Sequence, residues 1–119
     1  MNDQPQPDTH TLEELFRIIQ SRRGGEPSES YTARLFERGV PKIAQKLGEE
    51  AVEAVIEAVG GSDEDLATES ADLLYHLLVL WAARDIDPAD VWRVLEERRG
   101  VSGIKEKAQR KEAGDGQPV

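Results

Sequence analysis

The sequence predicts an all-α protein, a four-helix bundle-like domain over residues 11–111 with short tails at 1–10 and 112–119. Three observations carry that expectation. Apolar residues recur at helical spacing through most of the chain, helix start and stop signals bracket each run, and no segment makes a convincing strand. The length of 119 residues suits one domain with a modest core.

The first predicted helix is LEELFRIIQSRR, opened by a capping-box pattern of Thr11 with Glu14 and ended by Gly24 and Gly25. Leu12, Leu15, Phe16, Ile18 and Ile19 supply its apolar face. In the long polar connection that follows, Ser30 is placed to cap a short helix running to Arg38, with Gly39 as its stop. Pro41 suits the first turn of the next long helix, which Gly60 and Gly61 terminate. Ser62 with Asp65 opens a third, and Asp87-Pro88 opens PADVWRVLEERRG as the fourth main helix. The segment VSGIKEKAQRKE reads as a further short helix or as a strap across the bundle. Both tails are polar, contain Pro or Gly, and lack apolar periodicity.

Composition narrows the partners. A formal charge of −9 argues against a nucleic-acid or anionic-membrane surface, either of which needs a basic stripe. The chain has no cysteine, which removes disulfides and thiolate zinc sites from consideration. The N-terminal residues show no secretory signal, and the apolar run from Ala71 to Ala83 is too short to span a bilayer, so a cytoplasmic location is expected.

The chemistry concentrates in KLGEEAVEAVIEA, where Glu49, Glu50, Glu53 and Glu57 crowd about two helical turns. Like charges at such spacings cost about 0.2–0.5 kcal/mol per pair, so a positive partner is worth seeking. At about 100° per residue, Ile43, Leu47, Ala51, Ala54, Val55 and Ala58 form an apolar stripe, with Glu50, Glu53, Glu57 and Lys46 on its flank. On the next helix Leu66, Ser70, Leu73, Leu74, Leu77, Leu80 and Trp81 form the stripe, flanked by Glu69, Asp72 and His76. Packing the two helices through these stripes brings Glu50, Glu53, Glu69 and Asp72 face to face at the rim of the core. Acidic helix faces are usually just solvated. Here both acidic pairs border an apolar stripe, where a charge loses solvation, and nearby cations are few. A hard divalent cation is the economical partner, and oxygen ligands suit Mg²⁺ or Mn²⁺. Spacing leaves His76 open as a ligand, a substrate contact or a core histidine.

The pattern E-E-x-x-E in GEEAVE followed by E-x-x-D in ESAD resembles the signature of the all-α nucleoside triphosphate pyrophosphohydrolases. SYTARLFERG, KIAQKLGEEAVE, ADLLYHLLVL and SGIKEKAQRK, in that order, resemble the phosphoribosyl-ATP pyrophosphohydrolases of histidine biosynthesis over nearly all of Leu12 to Lys111. The resemblance implies hydrolysis of phosphoribosyl-ATP to phosphoribosyl-AMP and pyrophosphate with Mg²⁺. It implies Glu50, Glu53, Glu69 and Asp72 as metal ligands, with Glu49 as a further ligand or the group that orients water. Glu49 or Glu53 is the candidate proton acceptor. The resemblance also sets Ser30, Tyr31 and Thr32 near substrate, with Lys42 and Lys46 as phosphate contacts. Their ordinary alternatives are a helix cap for Ser30 and surface charges for the lysines. Arg98, Arg99, Lys105 and Lys107 make the C-terminal region the least acidic part, a help toward a polyanion or a solvated run.

Some relatives fuse this domain to the cyclohydrolase that acts next. This chain lacks that domain's cysteines, so a separate cyclohydrolase is the expected metabolic neighbour. Because LLYHLLVLW is apolar around most of its circumference, a homodimer is also expected. The competing readings are a house-cleaning enzyme acting on other nucleoside triphosphates and a non-enzymatic helical interaction module. A ferritin-like di-iron bundle fits less well, since neither acidic pair has Glu-x-x-His spacing.

Overall fold

The computed structural model describes residues 10–99, with five helices and no strand among the described residues. The all-α expectation holds. The helices are α1 (His10–Ser21), α2 (Tyr31–Arg38), α3 (Val40–Gly60), α4 (Asp63–Ala83) and α5 (Pro88–Arg98). The chain divides into two compact units, the first closing at Ile86 and the second opening at Asp87. The predicted C-terminal segment, with Lys105 and Lys107, lies outside the described residues.

In the first unit, α3 and α4 form a long antiparallel hairpin through the link at Gly61 and Ser62, and they share its most extensive packing. α1 rests on α4, while α2 touches both long helices. The caps explain where the helices begin. Ser30 Oγ accepts a hydrogen bond from the Ala33 amide at 3.1 Å, and Ser62 Oγ accepts one from the Asp65 amide at 3.0 Å. Asp63, Glu64 and Asp65 put negative charge in the first turn of α4, where the helix dipole favours it. Gly39, at φ 88°, turns the chain from α2 into α3 in a conformation that a side chain would strain. Thr11, the predicted cap, lies inside α1, which already includes His10. That helix also stops at Ser21, ahead of the expected Arg23.

Phe16, Ile19, Leu35, Ile43, Leu78, Val79 and Ala82 form the core cluster. It gathers at the end of the hairpin where α3 begins and α4 ends, because α1 and α2 supply cover there. The predicted stripes need two corrections. On α3 only Ile43 is fully buried, while Val55 is 62% exposed and Ala58 is also exposed. On α4 burial centres on Leu78, Val79 and Ala82, with Leu74 43% exposed. Period alone placed the apolar face of α3 but not its neighbours. On α4, apolar around most of its girth, it could not choose a face.

Arg23, just past α1, ties the core end together. Its Nη1 donates to the Ala82 carbonyl at 2.9 Å and pairs with Asp85 at 2.8 Å, and its guanidinium lies 5.6 Å from the Phe36 ring centre. No helix among the described residues is long and apolar enough to cross a membrane. In the second unit, the Asp87 side chain caps α5 by accepting from the Ala89 amide at 2.8 Å.

Candidate functional site

The hairpin sets two polar rows against each other. Lys46, Glu50 and Glu53 lie on one face of α3 at spacings of four and three residues, and Glu69, Asp72 and His76 lie on one face of α4 at three and four. The two helices run antiparallel, so the rows oppose each other with Lys46 toward His76 and Glu53 toward Glu69. Midway, Glu50, Glu69 and Asp72 each offer a carboxylate oxygen, and the three oxygens lie within 4.8 Å of one another.

Glu69 is the most perturbed member. Its Oε2 is shielded from solvent and has no hydrogen-bond partner. Desolvation first, then the neighbouring carboxyls of Glu50 and Glu53, push its pKa up to about 7. Glu53 is exposed and stands beside Glu69 rather than within the triad. The donor set fits a hard divalent cation: it is oxygen only, it converges, and it leaves a buried acceptor unsatisfied.

Glu49 has a different setting. It accepts from Gln45 Nε2 at 2.9 Å and pairs with Lys46 Nζ at 3.2 Å. The Gln45 bond first, and then Lys46, hold its carboxyl below the usual range. Lys46 is raised in turn, chiefly by Glu49. Glu49 is thus outside the converging triad, a distinction from Glu50 that the flank geometry could not make. Lys42 is half-buried and close enough to Glu49 to favour its charged form.

The Ser-Tyr-Thr run at the start of α2 is fastened to α4. Ser30 caps α2, as above. Thr32 Oγ1 and the Tyr75 hydroxyl share a short hydrogen bond. The Tyr31 hydroxyl lies 3.2 Å from His76 Nε2, and His76 Nδ1 lies 2.7 Å from the Asp72 carbonyl. His76 is only 5% exposed, so its setting joins the core reading to a place one turn from Asp72. Tyr75 was missed from sequence. It packs at 6.2 Å from the Tyr31 ring and 4.9 Å from the His76 ring, and burial raises its pKa. Its only signal was adjacency to His76 within LLYHLL, which reads equally as core.

The family model for phosphoribosyl-ATP pyrophosphohydrolase matches residues 12–99. Among curated proteins, the chain is 59% identical over 100 residues to the phosphoribosyl-ATP pyrophosphatase of Azospirillum brasilense, covering 84% of this chain and 90% of that protein. It is 56% identical over 103 residues to the enzyme of the same name from Paramagnetospirillum magneticum, covering 87% and 94%. The Trichlorobacter lovleyi phosphoribosyl-ATP pyrophosphatase is 57% identical over 103 residues, with 87% and 95% covered. The matched region contains the Ser-Tyr-Thr run, both acidic rows and α5.

Proposed function

The chain belongs to the phosphoribosyl-ATP pyrophosphohydrolase family, and we propose that it hydrolyses phosphoribosyl-ATP to phosphoribosyl-AMP and pyrophosphate at the acidic rows of α3 and α4, with Mg²⁺ as cofactor and Mn²⁺ as a substitute. The observation that carries the placement is the convergence of Glu50, Glu69 and Asp72 around the unsatisfied Glu69 Oε2. Those three carboxylates would hold the cation, with Glu53 at their edge. A cation held there would offset the repulsion between carboxylates and phosphates and would supply Lewis-acid activation of the attacking water.

The protein's own groups divide the remaining work. Lys46 and Lys42, at the N-terminal end of the α3 row, offer ammonium groups to the phosphate chain. Glu53 is the better candidate for accepting the water proton, since it is exposed and beside the triad. Glu49 would first have to leave Gln45 and Lys46. Its place suits a group that holds Lys46 in position.

The functional unit is a homodimer in this reading. Val52, Val55, Ile56 and Val59 are 58%, 62%, 59% and 86% exposed along the outer half of α3, an apolar surface that a second copy would cover. Phosphoribosyl-AMP is then the substrate for a cyclohydrolase.

A pyrophosphate-release assay on phosphoribosyl-ATP, with ATP and dCTP as comparators, tests the function. The expected result is Mg²⁺-dependent release with preference for phosphoribosyl-ATP; faster turnover of dCTP would point to a house-cleaning enzyme. No release from any of the three would leave the interaction-module reading. Near-normal turnover by Glu53→Gln would remove its role as base.

A further inference from the structure

Lys46 has two carboxylates at neighbouring positions on its own helix, Glu49 three residues on and Glu50 four residues on. Only one of them belongs to the converging triad. Glu50 offers an oxygen within 4.8 Å of those from Glu69 and Asp72, whereas Glu49 is outside that set. Lys46 Nζ lies 3.2 Å from Glu49 Oε2, so the ammonium is taken up beside the triad rather than in it. The other oxygen of the same carboxylate, Oε1, accepts from Gln45 Nε2 at 2.9 Å, which fixes the Glu49 side chain in that pose. Glu50 still stands near enough to Lys46 to favour its charged form. An ammonium and a divalent cation seek the same thing from Glu50, a carboxylate oxygen. With Glu49 neutralised, Glu50 is the acidic partner left within the helical reach of Lys46.

From this we infer that Glu49 is a positioning residue that keeps Lys46 off Glu50 and so leaves the Glu50 carboxylate open to a divalent cation. Gln45 assists by holding the Glu49 side chain. Glu49 then acts through Lys46, as neither a ligand nor a base. The inference rests on the proposed cation site at Glu50, Glu69 and Asp72.

A double-mutant cycle read by titration calorimetry tests this, with MgCl₂ added to nucleotide-free protein at pH 7.5. The four proteins are wild type, Glu49→Gln, Lys46→Met and the double variant. The Lys46 and Glu49 side chains are 29% and 47% exposed, so these changes leave the core untouched. Glu49→Gln should weaken Mg²⁺ binding about fivefold, the competition expected from one part-exposed lysine–carboxylate pair. Lys46→Met alone should stay within about twofold of wild type, because Lys46 is already held aside. The double variant should also return to within about twofold of wild type, since no lysine is left to compete. If Glu49 were a metal ligand, the double variant would stay as weak as Glu49→Gln. If only net charge mattered, the effects would add, and Lys46→Met would tighten binding as much as Glu49→Gln weakens it. Either of those results, or no weakening in Glu49→Gln, overturns the inference and leaves the cation site standing. Absence of Mg²⁺ binding in wild type overturns the site itself, and the inference with it.

Discussion

Where α3 begins and α4 ends, Ile43, Leu78, Val79 and Ala82 are at most 1% exposed, packed with Phe16 and Ile19 of α1 and Leu35 of α2. At the opposite end of the same hairpin, Val52, Val55, Ile56 and Val59 remain between 58% and 86% exposed. Both ends carry aliphatic residues of similar size. The difference is cover: α1 and α2 reach one end only. The carboxylate triad sits between them, held on one side by the packed core and bordered on the other by an exposed apolar surface. Full burial of a Val or Ile side chain contributes about 1.5–3 kcal/mol, which the outer end leaves unrealised and which the proposed dimer would recover in part.

Substitutions of matched size at the two ends test that contrast most strongly. Ile43→Ala should lower unfolding stability by about 2–5 kcal/mol, read from a denaturant midpoint, because it opens a cavity in a closed cluster. Ile56→Ser should leave the fold intact yet shift the protein from dimer to monomer by light scattering. Equal loss of stability without dissociation would mean that the outer end is covered some other way.

The boundary between the ends predicts a pH effect. Glu69 is raised from 4.5 to about 7, so its protonated form is favoured in the folded chain. Its contribution is fully present below pH 4.5 and is lost as pH rises through about 7, in the absence of metal. Glu69→Gln should remove that dependence: its melting temperature should gain on wild type as pH rises from about 4.5 to 7. A constant difference across that window would show that Glu69 is not strained by its neighbours. The smallest expected effect is local to the core end. Ser30→Ala should cost about 1 kcal/mol in stability through loss of the α2 cap.

Much of this was legible in the residues. Capping serines at 30 and 62, Gly39 and the Gly60-Gly61 stop marked helix ends because they act locally. Two rows at helical spacing were enough to bring Glu50, Glu69 and Asp72 together, since a two-residue link leaves an antiparallel hairpin little choice of partner. What period could not supply was tertiary: that Val55 would lie bare, that Tyr75 would bond Thr32, and that Glu49 would turn to Gln45 and Lys46 rather than to its acidic neighbours. Those outcomes depend on which helix covers which end and on rotamers chosen after packing.

The carboxylates of Glu50, Glu69 and Asp72 are proposed to form a cation site in which a bound cation relieves their mutual repulsion. The direct measurement is the melting temperature of wild type and Asp72→Asn with and without Mg²⁺ at pH 7.5. The expected result is a clear rise with Mg²⁺ in wild type that Asp72→Asn largely loses. An equal rise in both, or none in wild type, would contradict it.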